Sequence, residues 1–340
     1  MKHVVLWCST LFFFQFIGPS ECLAQEQKQT IIEVKIVSNT GGHKVRVDTN
    51  RNIYVLNSRK HNIMVLTPAF KVIRRIGGFG QGPGEFNMPW DFDIDKLNRL
   101  WVVDYFNTRI QVLDTDGTSI AVFPVNRSVQ SVTCLSSGEV LINNAGEGRL
   151  YSKIDIQGNI LESFGVKKEI PWLDPMIEKS DLKSGKKKVL YDSYPILLNS
   201  SLIRSDDMDN IYLLYQYIPV LRKFNPKGEM IYDVTPEAQR IEQKIKENQN
   251  IVRRNILEGA LGSGVIFQDI AISPKSGRIF AVPTVPVMII FDNSGEKIDE
   301  IEFVEEETGR PLWPLGICRH IDHQWIGVND SATFVFRILE

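Results

Sequence analysis

The sequence predicts an all-β chain: a six-bladed β-propeller of four-stranded antiparallel blades, its ring closed by the N-terminal strand, with one inserted helix. Three observations predict it. A turn followed by an apolar run recurs six times, as "DTNRNIYVLN" (48–57), "DKLNRLWVVD" (95–104), "SSGEVLINN" (136–144), "DDMDNIYLLY" (206–215), "PKSGRIFAVP" (274–283) and "DHQWIGVN" (322–329). Each copy is followed by a second apolar strand, "NIMVLT", "RIQVLD", "LYSKID", "VLRKFN", "VMIIFD" and "FVFRIL", and in the first five a further Gly- or Pro-containing turn leads to another strand. The last copy stops one strand short at Glu340, while an orphan strand, "TIIEVKIV" (30–37), stands before the first. Units of roughly 40 residues with four antiparallel strands mark a propeller, whose blades bury their faces against one another.

In chain order, residues 1–24 read as a signal peptide. Lys2 and His3 form a short polar start, Val4 to Ile17 an apolar stretch shorter than a spanning helix needs, and "CLA" offers small residues before Gln25. The expectation is a secreted or periplasmic chain cut after Ala24, with no transmembrane span afterwards and the propeller filling 25–340. Strand 30–37 is expected to complete blade 6 as its outer strand, so that no torn edge separates the first and last blades. The inner strand of each blade precedes its repeat: "KVRVD", "DFDID", "SVTCL", "SLIRS", "DIAIS" and "GICRH".

Because strands alternate in direction, the connectors between blades emerge on one face and the tight hairpin turns on the other. Four connectors are long: 78–89, 166–198, 235–267 and 304–314. Long connectors in a compact domain carry function or structure of their own. In the third, Thr235 as N-cap and Pro236 precede Ile241, Ile245, Val252 and Ile256 on one helical face, which predicts a helix over 236–257, packed as a cap or serving as a lid.

Composition narrows the partners. A formal charge of −2 at 340 residues gives no general pull toward nucleic acid or acidic membranes. The "KSGKKK" run (183–188) reads as a solvated loop tip. Of the cysteines, Cys134 and Cys318 remain beyond the leader; they fall on inner strands of blades 3 and 6, opposite each other across the channel, and are expected as free thiols. A monomer is expected.

The run "GGFGQGPGEF" (77–86) fits neither G-x-G-x-x-G nor a P-loop, and a strand rather than a helix comes after it. It reads as the connector from blade 1 to blade 2. Together with residues 87–117 it resembles an NHL repeat, a propeller repeat of the form G-x-G-x-G-x-F-x-x-P, then a strand ending in Asp, then D-x-x-N-x-R-I-x-V; the last positions here are Asp104, Asn107, Arg109, Ile110 and Val112. The likeness is strong in blade 2, partial in blade 1 and loose in the other four. The whole chain resembles exported six-bladed propeller proteins of Bacteroidetes-like bacteria, which share the "GPGEF…DFDID" connector.

The chemistry is quieter. No nucleophile elbow or comparable Cys/His spacing stands out. His43 and His320 lie on the inner strands of blades 1 and 6, neighbours once the ring closes. Asn57, Asp104, Asn144 and Asn329 end second strands, either as a cation-holding ring or as residues serving their own turns, and Asp104 is assigned to the second role with Arg109 as its partner. The leading expectation is a non-enzymatic binding or scaffold propeller without cofactor, presenting its connector face to a protein, peptide or glycan of the cell envelope. Trp90, Asp91, Phe267, Gln268, Asp269 and Trp313 are expected to converge at the channel mouth. The alternative is an enzyme resembling a metal-dependent lactonase or a peptidyl-hydroxyglycine lyase, both six-bladed. A divalent cation, Ca or Zn, would then fall to Asp91, Asp93, Asn199 and Asp269, although blade 1 has His43-Lys44 where lactonase-like families place a glutamate.

Overall fold

The computed structural model describes residues 30–144, 148–173, 185–236, 239–319 and 324–338. The expected leader, 1–24, and His320 lie outside them.

Six blades form a closed ring. Blade 1 comprises Lys44–Val47, Ile53–Asn57, Asn62–Leu66 and Val72–Gly77; blade 2 Pro89–Ile94, Leu100–Asp104, Arg109–Leu113 and Ser119–Pro124; blade 3 Val132–Cys134, Val140–Asn143, Tyr151–Ile154 and Ile160–Phe164. Blade 4 comprises Ser201–Ser205, Ile211–Tyr215, Leu221–Phe224 and Met230–Val234, and blade 5 Phe267–Ile272, Ile279–Pro283, Met288–Phe291 and Lys297–Glu305. Blade 6 takes Gly316–Arg319, Gln324–Val328 and Thr333–Arg337 from the C-terminal end and its outer strand from Thr30–Ser38. Each inner strand touches the inner strand of the next blade, and the last touches the first.

The closing strand does more than its assigned part. Its second half pairs antiparallel with blade 6, Lys35 opposite Val335 and Ile36 opposite Phe334. Its first half pairs in parallel with the outer strand of blade 5, Thr30 opposite Ile301 through Val34 opposite Glu305. Blades 5 and 6 are thereby joined into one nine-stranded sheet, while blades 1 to 4 remain separate four-stranded sheets.

The apolar core is distributed between blades rather than gathered at the centre. Six clusters of buried side chains fill the six interblade spaces. This follows from strand periodicity: successive side chains alternate faces, and both faces of a blade meet a neighbour.

Among the described residues two α-helices are inserted, where the sequence predicted one. The second, α2 (Gln239–Glu258), follows the apolar spacing: Ile241, Val252 and Ile256 are buried against blades 4 and 5 and the space between blades 3 and 4, so it is packed as a cap. The first, α1 (Gly185–Leu198), escaped prediction: residues 185–188, read as part of a solvated loop tip, form its first turn, and Pro195 interrupts its sequence. Packing holds it nonetheless: Tyr194 and Leu198 enter the cluster between blades 3 and 4, and the Tyr194 hydroxyl bonds the Ala260 and Gly262 carbonyls beyond α2 at 3.1 and 3.2 Å. Among the described residues no helix is long and apolar enough to cross a membrane.

Candidate functional site

The blade 1 to blade 2 connector is a cation-bound loop, which settles the reading of its glycines. Arg109 donates to the carbonyls of Gln81 (2.6 Å), Gly82 (2.9 Å) and Glu85 (2.9 Å) and pairs with the buried Asp104 at 2.7 Å. The loop's amides are engaged elsewhere: Gly80 with the Phe86 carbonyl, Phe86 with that of Gly78, Gly82 with the Glu85 side chain and Gly84 with Gln111. A loop that turns carbonyls to an arginine has the opposite polarity to one that cradles phosphate. Asn107 completes it, donating to the Gly80 carbonyl and to Asp104. Asp104, Asn107 and Arg109 thus hold the connector in place. Asn57 and Asn329 likewise serve neighbouring backbone, Asn57 through Gly41 and Lys60, Asn329 through Ser331 and Ala332.

That connector delivers Trp90 to the channel mouth and Asp91 into the channel itself. At mid-depth the channel is closed by a network to which every blade contributes. Arg204 of blade 4 pairs with Asp91 of blade 2 (3.0 Å) and Asp269 of blade 5 (3.4 Å). Lys44 of blade 1 pairs with Asp269 (2.8 Å), and Arg46 reaches Asp91 (3.4 Å) and Asp93 (3.5 Å). Ser131, entering blade 3, donates its hydroxyl to Asp91 (2.6 Å), and the Ile317 amide of blade 6 donates to Asp269 (3.0 Å). Three cations face three carboxylates, and period-2 alternation along "KVR" and "DFD" points Lys44, Arg46, Asp91 and Asp93 inward. Burial pushes the Asp91 carboxyl up to about 6 against the opposing pull of Lys44 and Arg46.

Below this layer, on the hairpin-turn face, lies a cavity of about 310 Å³ whose wall includes Arg46, Arg204, Cys134, Cys318, Asp95 and Asp206. Asp95 and Asp206 are engaged within their own turns, by Arg99 and Trp101 and by Asn210 and Tyr212. Both cysteines are free, and burial pushes the Cys318 thiol up to about 12.

Above the layer, on the connector face, a second cavity of about 340 Å³ is lined by Gly42, His43, Asn57, Ser58, Arg59, Met88, Trp90, Gln268, Leu315 and Asp330. The Trp90 ring is braced edge-on by Tyr105, centroids 4.0 Å apart. Met88 has φ +50°; the other non-glycine residues with positive φ all sit in hairpin turns or loops within blades, so the strain at Met88 belongs to the connector.

His43 and Ser58 form the one pairing there that resembles catalytic machinery, their Nε2 and Oγ atoms 3.0 Å apart. Its polarity is wrong for activating a nucleophile. The Ser58 amide approaches His43 Nδ1 at 3.4 Å, which makes Nδ1 the acceptor and leaves the proton of a neutral ring on Nε2, 3.3 Å from the Trp90 carbonyl. The Ser58 hydroxyl in turn donates to the Pro89 carbonyl. Burial, and then Lys44 nearby, lower the His43 pKa to about 4, so the ring is neutral at physiological pH.

The predicted mouth residues therefore separate by depth. Trp90 and Gln268 line the connector-face cavity, Asp91 and Asp269 lie beneath it in the ion network, and Phe267 is core between blades 4 and 5. Trp313 is 45 % exposed and stands outside the cavity wall, although the carbonyl of its neighbour Pro314 accepts from Gln268. Of the four residues proposed for a cation, Asp91, Asp93 and Asp269 face Arg and Lys side chains, while Asn199 turns away to the backbone of Lys168 and Pro195. Among the described residues no group of three or more His, Cys, Asp or Glu is arranged to hold a metal ion. Sequence reasoning missed the His43–Ser58 pairing, Arg59 and Asp330 at the cavity, and Arg46 and Arg204 in the network; charged residues on the inner strands "KVRV" and "SLIRS" were the available signal for the last two.

Comparison with known proteins agrees with the fold. A family model described as a 6-bladed beta-propeller matches residues 40–159, covering blades 1 and 2 and most of blade 3. The human NHL repeat-containing protein 3 is 31 % identical over 102 residues, which is 30 % of this chain and 24 % of that protein; the mouse protein is 32 % identical over the same length. The chain thus matches about a quarter of the length of these relatives. Among solved structures, a putative exported protein from Bacteroides fragilis superposes with a TM-score of 0.53 at 13 % identity, covering 91 % of this chain and 95 % of that one. Virginiamycin B lyase from Staphylococcus aureus gives 0.55 at 9 % identity, covering 91 % and 99 %. At such identities the likeness is one of fold alone. The chain is a six-bladed β-propeller, similar over 102 of its residues to NHL repeat-containing protein 3.

Proposed function

We propose that this propeller is an exported, non-enzymatic binding module that takes its ligand on the connector face, in the cavity walled by Trp90. One observation carries the reading: the channel is sealed at mid-depth by paired charges from blades 1, 2, 4 and 5, hydrogen-bonded by a hydroxyl of blade 3 and an amide of blade 6, and above the seal sits a preformed cavity of about 340 Å³ with an aromatic residue and polar groups in its wall. Such a mixture suits recognition, with rigid apolar area for affinity and placed polar atoms for orientation. The polarity of the His43–Ser58 pair supports binding over acyl transfer. Export is supported by the leader-like residues 1–24 and by the likeness to a putative exported protein.

The test compares retention of envelope material by the immobilised wild-type chain and by Trp90→Ala. Loss of retention in the variant, with its melting temperature within a few degrees of wild type, is expected. Hydrolysis of an ester or amide substrate that Ser58→Ala abolishes would overturn the reading in favour of an enzyme. Asp91→Ala is unsuited to this test, because removing that carboxylate leaves Arg46 and Arg204 buried without it.

A further inference from the structure

Resting on the connector-face reading, we propose that the ligand held against Trp90 is an uncharged sugar residue of a glycan. The cavity carries no net charge: Arg59 of blade 1 and Asp330 of blade 6, both in its wall and both exposed, pair with each other at 3.6 Å. A charged ligand would have to displace one of that pair; a hydroxyl-bearing ligand accepts from one and donates to the other. Gln268 supplies a further polar group, and this one is fixed. Both hydrogens of its amide nitrogen are engaged, with the Pro283 carbonyl at 3.1 Å and the Pro314 carbonyl at 3.3 Å, which fixes the amide and leaves its oxygen as an acceptor on the cavity wall.

The wall also holds the half-buried indole of Trp90, which meets Tyr105 in a T-shaped contact, and the weakly positive C–H face of a sugar ring lies well against the electron-rich face of an aromatic ring.

An extended peptide fits less well. Strand addition needs unpaired backbone groups, and five of those at this wall are engaged: the Gly42 amide with Asn329, the His43 amide with Leu56, the Pro89 carbonyl with Ser58, the Trp90 carbonyl with His43 and the Gln268 carbonyl with Lys44. A volume of about 340 Å³ is also near the small end for ligand pockets, room for a sugar ring and part of the next.

The experiment titrates the purified chain with the methyl glycosides of glucose, galactose, mannose and N-acetylglucosamine, followed by saturation-transfer NMR and tryptophan fluorescence. At least one should bind with Kd on the order of 1 mM, as expected for so small a ligand, and its affinity should be unchanged by added salt. Trp90→Ala should weaken it by about tenfold or more, and Arg59→Ala with Asp330→Ala by roughly three- to tenfold. That exposed double variant guards against misfolding as the cause. If none of the glycosides binds at up to about 50 mM, or if binding collapses with salt, the sugar assignment is overturned. Envelope material retained through Trp90 but released by protease rather than by glycosides would sink the sugar and keep the site. Retention that survives Trp90→Ala would sink the site itself.

Discussion

Arg109 shows how one side chain of the repeat sets the path of a whole connector. It satisfies three loop carbonyls and a fully buried carboxylate, so Arg109→Ala should cost about 3–5 kcal/mol by leaving Asp104 buried without a counter-charge, read as a lower denaturant midpoint. Arg109→Lys should recover only part, since a single ammonium cannot span the same set of acceptors. Two buried titratable groups make a second residue-scale test. Asp91, raised from 3.8 to about 6, holds its proton in the folded chain when the unfolded chain has lost it, so its contribution falls as pH rises from about 4 to 6. His43, lowered from 6.5 to about 4, is unprotonated in the folded chain while the unfolded chain takes up a proton, so its contribution is lost as pH falls through the same window. The two slopes oppose each other. In Asp91→Asn, stability relative to wild type should rise with pH between about 4 and 6, and in His43→Gln it should fall, each by about 2 kcal/mol across the window; equilibrium unfolding at a series of pH values reads both slopes.

At the scale of elements, the N-terminal strand is a tie between two blades as well as the missing quarter of one. Val34 is fully buried, and Ile32 and Ile36 pack against the same cluster between blades 5 and 6. A chain starting after Ser38 should lose on the order of 5 kcal/mol of stability through lost strand pairing and apolar burial. A chain starting after Val34 should lose less, because it keeps the Lys35–Ser38 pairing that completes blade 6 and gives up the parallel pairing to blade 5. Thermal melts of the two truncations, with hydrogen exchange localised to blades 5 and 6, check this ordering. Equal stability of full chain and longer truncation would assign the strand no closing role. The helices illustrate another dependence on context: α2 carries its own amphipathic stripe, whereas α1, with its internal proline, is held by Tyr194 and Leu198.

Across the whole molecule, ring symmetry decides which residues can meet. Cys134 and Cys318 belong to blades 3 and 6, three steps apart in a six-membered ring, and both are free. Mass spectrometry of the non-reduced chain should show both of these as thiols, and Cys318, buried and with its thiol pKa pushed up to about 12, should be alkylated only on unfolding. An intramolecular link between the two would require a different blade order. The ion network is the converse case: residues 44, 91, 204 and 269, remote in sequence, become neighbours because inner strands line one axis.

The sequence by itself determined the architecture, because each blade announces itself locally. The turn residues Asp48, Asp95 and Asp206, with Asn52, Arg99 and Asn210 four positions on, recur within single hairpins, and alternating apolar strands need only their own neighbours to be recognised. It also identified Asp104 and Arg109 as partners, five residues apart. The tertiary structure alone decided the character of the site. Asp91, Asp93 and Asp269 look like cation ligands when inner strands are read singly, since acidic residues on an inward face suggest a metal; only the closed ring sets Lys44, Arg46 and Arg204 against them. In the same way Trp90 was legible as a mouth aromatic, whereas its companions Arg59 and Asp330, from the first and last blades, are joined by ring closure, a long-range event that no local spacing encodes.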